Sequence, residues 1–513
     1  MRVRCFVFFA AACCACFSWA KEQAAGQRDL SIEEFQSEVA SHAAQPRFAA
    51  ASWGIKIVSL DSGATLFETN AHKLLKPASN AKLYTAALAL DALGPDFRIR
   101  TSVFSHSQPD PDGTLKGDLI IFGRGDPSFA ARFENGQYTN LLGPLVEAIR
   151  SAGIKRVEGN LIGDETFFVG PHYGSTWAWD DLGYYYGAEI SALTVQDNVI
   201  DLFVKPGTSP GQPCRISTKP ETSYLEFVNR ATTVATSAQT HISIYRPPGK
   251  NRAYISGYLP ATYGTWVDSV SVSNPALWFL TMLKETLARD GITVSGELKT
   301  RSWPEDSKLD LAELHELAHT DSQPVSVIIE KMMKASENLY AELLLREVGA
   351  QKGEPNASSS TATEELGLRE LRNFITHAGL NRAEVLMEDG SGLSRGGLVT
   401  PNATVELLKI MSKHKDAEVF RNSLPEAGQD GTLKTRLQDL KGNVRAKTGS
   451  LRFVTALSGY LTNRAGEHLA FSILLNGYNN LTATSARDEV DAIPRMISRI
   501  KVKSGTNGAV EPK

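Results

Sequence analysis

Three short motifs, Ser79-Asn80-Ala81-Lys82, Ser336-Glu337-Asn338 and Lys447-Thr448-Gly449-Ser450, stand in that order along the chain. Together they hold the parts of an acyl transfer at serine. A serine hydroxyl is a poor nucleophile until a base takes its proton. In Ser-x-x-Lys the amine lies one helical turn on, so Ser79 and Lys82 share a face. Pro77 precedes the pair, Leu83, Ala86, Ala87, Leu90 and Leu93 follow at helical spacing, and Gly94-Pro95 closes the run. The segment is apolar nearly all round, which predicts a buried helix. Burial disfavours an ammonium, and a second cation at Lys447 pushes the same way, so Lys82 is expected to serve as a neutral base. The helix start also leaves the Ser79 N–H free for one half of an oxyanion hole.

Ser336 and Asn338 fall between two apolar helical runs, Val327 to Met333 and Leu339 to Leu345. A polar turn there can present both side chains to a cleft, Ser336 to relay a proton and Asn338 to hold a substrate amide. Taken alone, the turn reads as a helix cap. Residues Asn443 to Val454 read as a strand, with further strands at Ala456 to Leu461 and Leu469 to Leu475 around a turn at Asn463 to Gly466. Gly449 permits close backbone approach, so an extended peptide could pair along this strand. Lys447 and Thr448 would hold a carboxylate, and the Ser450 N–H would complete the oxyanion hole. No single motif selects this chemistry: Ser-x-x-Lys recurs at Ser18, Ser412 and Ser498. The ordered set does.

With all three in place the chain resembles the penicillin-recognising serine peptidases. Ser79 and Ser336 lie 257 positions apart, far more than a connecting loop needs. A long insertion at that point resembles the low-molecular-mass class C penicillin-binding proteins, the D-alanyl-D-alanine carboxypeptidase/endopeptidase family. Gly123 to Pro127, Trp177 to Asp181, Asp389 to Arg395 and Gln429 to Leu433 match that family's pattern as well. The resemblance implies an α/β (α+β) fold, an antiparallel sheet flanked by helices, with a large β-rich insertion between the first two motifs. It implies Ser79 as nucleophile, Lys82 as its base, Ser336 and Asn338 as relay and clamp, and Lys447, Thr448, Gly449 and Ser450 as substrate-binding. Asp164 and Arg395 would bind the free end of a diaminopimelate side chain. Arg452 stands where the family often has Gln, which bears on side-chain preference. The implied substrates are peptidoglycan stem peptides and cross-links, with β-lactams as covalent inhibitors and neither metal nor cofactor. The alternatives are a β-lactamase or esterase of the same superfamily, against which no deacylating Glu is identifiable, and a non-catalytic wall-binding module.

Composition agrees with an exported enzyme. Arg2 and Arg4 precede an apolar run from Cys5 to Phe17, and Ser18-Trp19-Ala20 fits a cleavage site, so residues 1–20 read as a signal peptide. Four of five cysteines fall in that segment; Cys214 alone follows it, which excludes an internal disulfide. Loss of Arg2 and Arg4 moves the formal charge of −3 to −5, giving no reason to expect a nucleic-acid partner. No later stretch is long and apolar enough to span a membrane. The location expected is periplasmic or otherwise extracytoplasmic. The length calls for more than one core. Residues 21–95 and 309–504 are expected to form a discontinuous peptidase domain, 96–308 the inserted β-rich region in one or two subdomains, and 505–513 a disordered tail. A helix over Pro275 to Asp290 is expected within the insertion, and residues 352–360 read as a polar connector.

Two further patterns compete. His315-Glu316-Leu317-Ala318-His319 matches the zinc-protease signature, which requires a helix carrying both histidines on one face. Arg124-Gly125-Asp126 matches an adhesion tripeptide, but its Gly- and Pro-rich setting reads as a turn. The three-motif reading uses neither.

Overall fold

The computed structural model describes residues 28–353, 360–479 and 484–505. The expected signal peptide, nearly all of the expected tail and most of the polar connector lie outside them. The central element is a five-stranded antiparallel sheet. Its strands run in the order Val444–Leu451, Val454–Thr462, His468–Asn476, Ser52–Ser59 and Thr65–Thr69. The N-terminal hairpin and the late strands therefore share one sheet, because Ser52–Ser59 pairs with His468–Asn476 from Ser52↔Asn476 to Ser59↔Leu469. Side chains alternate across a strand, and here both faces are covered. Leu457, Phe471 and Ile473 pack under the helices Ile32–Ala43 and Ala486–Ser498. Ala456, Ala470 and Leu474 pack on the other side, with Leu83, Ile329 and Leu343. Burial on both faces explains why these strands read as nearly unbroken apolar runs.

The second face carries the helices that hold the motifs: Lys82–Ala92, Val325–Ala335 and Asn338–Lys352. The first of these is buried throughout its first nine residues, so its amphipathic signal is weak by necessity. The Val444–Leu451 strand is an edge strand. On its outer side the Ala446 N–H donates to the Pro425 carbonyl at 3.0 Å. Backbone groups alternate in direction along a strand, so the Thr448 and Ser450 N–H groups face that same outer edge.

Between the serine helix and the Val325–Ala335 helix the chain builds further sheets. One has five strands, ordered Leu298–Arg301, Leu161–Asp164, Leu119–Phe122, Arg100–Ser105 and His315–Asp321. Three smaller sheets of three strands accompany it. A separate core, including Ile121, Ile149, Leu161, Leu202, Phe279 and Leu283, holds this region together. The expected helix is Pro275–Arg289, and a second helix, Gly143–Ser151, joins it.

Residues 315–319 are strand, not the helix that the zinc signature requires. They pair with Arg100–Ser105, His315 opposite Ser105 and His319 opposite Ser102. Three residues and a bulge between Glu316 and Ala318 lie between the two histidines, so they do not share the helical face that the signature requires. Among the described residues no helix is long and apolar enough to cross a membrane.

Candidate active site

Ser79 lies in a short 3-10 turn, Ala78–Ala81, that feeds directly into the Lys82–Ala92 helix. Pro77 starts this turn, and its backbone is wedged between two glycines. A Cβ on Gly392 would stand 2.0 Å from the Ala78 carbonyl oxygen, and one on Gly449 would stand 2.6 Å from the Pro77 carbonyl oxygen. Gly449 thus serves the close approach of the serine turn itself, a use that the expected pairing with an extended substrate did not include. Beneath the turn the Asn80 side chain donates to Ser458 Oγ at 2.7 Å, tying the serine to the central sheet.

Lys82 is fully buried. Its Nζ lies 2.9 Å from Ser79 Oγ, 2.5 Å from Asn338 Oδ1 and 2.9 Å from the Ser391 carbonyl oxygen. A neutral amine has two hydrogens and one lone pair. The two carbonyl oxygens can only accept, so they take both hydrogens, and the lone pair is left for the Ser79 hydroxyl. Burial pulls the Lys82 pKa down to about 8, while the charges of Asp389, Glu337 and Glu342 hold it up. The balance places the neutral form within reach near physiological pH.

Asn338 reaches this position because Ser336 breaks the helix ahead of it. Ser336 has φ 61° and ψ 37°, a left-handed cap between Val325–Ala335 and Asn338–Lys352. The Asn338 Nδ2 donates to the Tyr186 carbonyl at 2.8 Å, which turns Oδ1 toward Lys82. Ser336 Oγ accepts from Lys447 Nζ at 2.8 Å, leaving its own proton free to donate. Lys447 is also fully buried, and burial, with the charges of Lys82 and Arg436, holds its pKa well below the ordinary lysine value. Thr448 Oγ1 donates to Thr432 Oγ1 at 2.7 Å.

These groups open onto a cleft of about 990 Å³ whose lining includes Ser79, Ser336, Asn338, Thr448, Ser450 and Arg395. Lys76, Arg436, Arg452 and Arg487 add cations to its wall, against the acids Asp180 and Asp181. In a chain of net negative charge, such a wall favours an anionic ligand. Arg452 occupies the exposed two-residue tip between Val444–Leu451 and Val454–Thr462, beside Phe453.

Asp164 stands apart from the cleft and from the other expected site residues. Asp164 is buried at the end of Leu161–Asp164, where its Oδ1 accepts from the Thr166 N–H and hydroxyl at 3.0 and 2.6 Å. Its other oxygen faces Arg301 at 3.5 Å. The acid that meets Arg395 is Asp181, whose Oδ2 accepts from the Arg395 guanidinium at 2.8 Å. Burial raises the Asp181 pKa, and the Arg395 charge opposes the rise. Asp181 stands within Trp177 to Asp181, a segment that matched the family pattern but whose acid was given no role from the sequence. Ser391 was also unassigned. It contributes a carbonyl oxygen, which any residue type would supply, so its identity gave no signal. Glu342 orients that carbonyl by accepting from the Gly390 and Ser391 N–H groups at 3.1 and 2.9 Å. Among the described residues, no cluster of three or more His, Cys, Asp or Glu could hold a metal ion.

A family model described as the D-Ala-D-Ala carboxypeptidase 3 (S13) family matches residues 35–497. The chain is 32% identical over 472 residues to the D-alanyl-D-alanine carboxypeptidase of Actinomadura sp. (strain R39), which covers 90% of this chain and 84% of that protein. It is 28% identical over 428 residues to the D-alanyl-D-alanine carboxypeptidase DacB of Haemophilus influenzae, covering 82% and 84%. The crystal structure of penicillin binding protein 4 (dacB) from Haemophilus influenzae superposes with a TM-score of 0.74 at 26% identity, covering 91% of this chain and 98% of that one.

Proposed function

The chain belongs to the D-Ala-D-Ala carboxypeptidase 3 (S13) family, and from this premise we propose that it cleaves peptidoglycan stem peptides through an acyl-enzyme on Ser79. The fold and the enzyme class are those of a low-molecular-mass class C penicillin-binding protein. The observation that carries the proposed mechanism is the environment of Lys82, a buried amine whose other two contacts are carbonyl acceptors.

The stem peptide lies along the free edge of Val444–Leu451, with its terminal carboxylate at Thr448 and near the Lys447 charge. Neutral Lys82 takes the Ser79 proton as Oγ attacks the carbonyl carbon of the penultimate D-Ala. The Ser79 and Ser450 N–H groups receive the developing oxyanion. Collapse breaks the C–N bond, and the proton reaches the leaving amine through Ser336, whose oxygen Lys447 holds. D-Ala departs, and water then cleaves the ester with Lys82 again as base. A cross-bridge amine in place of D-Ala makes the same sequence an endopeptidase reaction. Asp181 and Arg395 bind the ammonium and carboxylate at the free end of the stem side chain. β-Lactams acylate Ser79 and persist, because the amine freed by ring opening stays attached to the acyl group and blocks the approach of water; the two acids beside Lys82 offer no second base, as Glu337 pairs with Arg132 and Glu342 accepts from Gly390 and Ser391.

The inserted region in this reading runs from residue 96 beyond the expected limit of 308 to about 321, because His315–Asp321 pairs with Arg100–Ser105, and the remainder of the described chain is the peptidase part. An exported, extracytoplasmic location follows from the substrate. Intact mass after benzylpenicillin, followed by a tryptic map, tests the mechanism. One penicilloyl adduct on the Ser79 peptide, absent in Ser79→Ala, is expected; no adduct with the antibiotic intact would favour the wall-binding module, and antibiotic consumed without an adduct would favour a β-lactamase.

A further inference from the structure

The middle residue of the Ser336–Asn338 turn does not face the cleft. Glu337 is buried and turned toward the inserted region, where its carboxylate accepts from the Arg132 guanidinium at 3.0 Å. The same Arg132 nitrogen donates to Asp197 at 2.9 Å. Asp197 in turn accepts from the Tyr340 hydroxyl at 2.5 Å, and Tyr340 stands two residues beyond Asn338 on the same helix. Arg132 also lies 5.9 Å from the Tyr340 ring centre.

Asp197 is held in an unusual way. Gln196, Asp197 and Asn198 have φ of 47°, 54° and 55°, three consecutive left-handed residues with side chains. Such backbone is strained and persists only where its surroundings over-determine it. They do so here. Gln196 Oε1 accepts from the Ala131 N–H at 3.0 Å, next to Arg132, and the Asn198 amide donates to the Glu189 carbonyl at 2.8 Å. The strained turn thus fixes both halves of the Arg132–Asp197 pair. The inserted region holds the other end of the motif as well, through the Tyr186 carbonyl on Asn338.

We propose that Arg132 is a positioning residue for the Ser79 site: bridging Asp197 and Glu337, it locks the left-handed Ser336 turn so that Ser336 meets Lys447 and Asn338 meets Lys82. The inserted region is then a working part of the catalytic geometry. The proposal rests on the acyl-transfer reading above. It explains why a carboxylate stands in the middle of the second motif without touching the cleft. Five groups face Glu337: Arg132, Asp197, Tyr340, Tyr185 and Lys82. Lys82 in turn faces Asp389, Glu337, Glu342 and Lys447.

The test compares the full-length wild type with Arg132→Gln, Arg132→Lys, Glu337→Gln and the Arg132→Gln/Glu337→Gln double variant. The second-order rate of Ser79 acylation by benzylpenicillin is measured from pH 6 to 10, well below each variant's melting temperature. Displacement of the turn in Arg132→Gln is expected to slow acylation roughly tenfold to a hundredfold, as small misplacements of catalytic groups do. Arg132→Lys should recover part of the loss, and the double variant should be no slower than Arg132→Gln. Glu337→Gln removes a negative charge that supports the Lys82 ammonium and leaves Arg132 unbalanced, so the acid limb of the profile should move to lower pH and return in the double variant. Unchanged rates and an unmoved limb, with only melting temperatures lowered, would overturn the proposal. If Arg132→Gln does not fold, Arg132→Lys and the isosteric Glu337→Gln decide through their acylation rates on the alkaline plateau, where Lys82 is already neutral and only the position of the turn can slow the reaction. Failure of the wild type to acylate would instead condemn the acyl-transfer reading.

Discussion

In the proposed mechanism Lys82 is the base, and its burial gives a testable pH signature. With its pKa lowered to about 8, the neutral base gains population as pH rises, so acylation by benzylpenicillin should climb through about pH 8 and level above it. Lys82→Ala should remove acylation at every accessible pH; recovery in alkali would sink the assignment of Lys82 as base. The same shift has a stability consequence of definite sign. The unfolded lysine titrates near 10.5 and the folded one near 8, so between those values the unfolded state binds more protons and stability rises with pH. Below about pH 8 both states are protonated and the full penalty of the buried charge applies, on the order of 3 kcal/mol. Lys82→Met, similar in length and uncharged, is therefore expected to melt higher than wild type at pH 7 and to lose that advantage toward pH 10. Melts at the two pH values check this, and an advantage that does not shrink with pH would contradict it.

The loop Asp389 to Arg395 works as a second wall for the serine turn. Asp389 gathers the Gly392 and Ser394 N–H groups at 2.8 Å each and accepts from Trp177 Nε1 at 2.9 Å, which fixes the loop's curvature. Gly392 is then pressed against Ala78 with φ 80°, so Gly392→Ala meets both a steric and a conformational barrier. A loss of roughly 2–4 kcal/mol is expected, together with slower acylation, because the displaced partner is the turn that carries Ser79. Thermal melts and the acylation rate read both effects; a melt lowered without any change in rate would mean that the loop moves independently of Ser79. This loop also marks where sequence reading stops. The Lys82–Ala92 helix and the strands at Leu469 to Leu475 were legible because burial on all sides writes itself as apolar runs between turn residues. That Ser79, Lys82, Ser336, Asn338 and Lys447 come together was legible because their types in that order fit one reaction. The backbone contributions of Ser391 and Tyr186 were not, since a carbonyl has no residue signature. Residues 315–319 show why the zinc signature was set aside: histidines four apart suggest one helical face, but pairing with Arg100–Ser105 makes the segment a strand. Asp164 misled because a strand-end carboxylate and a cleft carboxylate look alike until the fold shows which one Thr166 already occupies.

The cleft lies between two parts of the chain that are far apart in sequence. The serine helix and the edge strand supply the reacting groups, while Tyr184, Tyr186 and Asp181 come from the inserted region. The inserted region thus positions Asn338 through the Tyr186 carbonyl and also offers Asp181 to the substrate. Benzylpenicillin has the acyl group and carboxylate that Ser79, Lys447 and Thr448 meet, but it lacks the charged end of a stem side chain. A stem peptide has both. Asp181→Asn should therefore raise KM for a stem peptide ending in a free ammonium and carboxylate by roughly tenfold to a hundredfold, the worth of one hydrogen bond to a charged group. The penicillin acylation rate should fall far less, and Arg395→Ala should repeat the pattern. The Asp181–Arg395 pair joins the Trp177–Asp389 hydrogen bond in linking Trp177 to Asp181 with Asp389 to Arg395, so its loss could instead loosen the whole cleft. In that case both substrates would suffer together, and the ratio of the two rates would stay at the wild-type value. Steady-state hydrolysis of the peptide beside penicillin capture on the same preparation distinguishes the outcomes. A changed ratio assigns Asp181 and Arg395 to the substrate's side chain, and a constant ratio assigns them to the architecture.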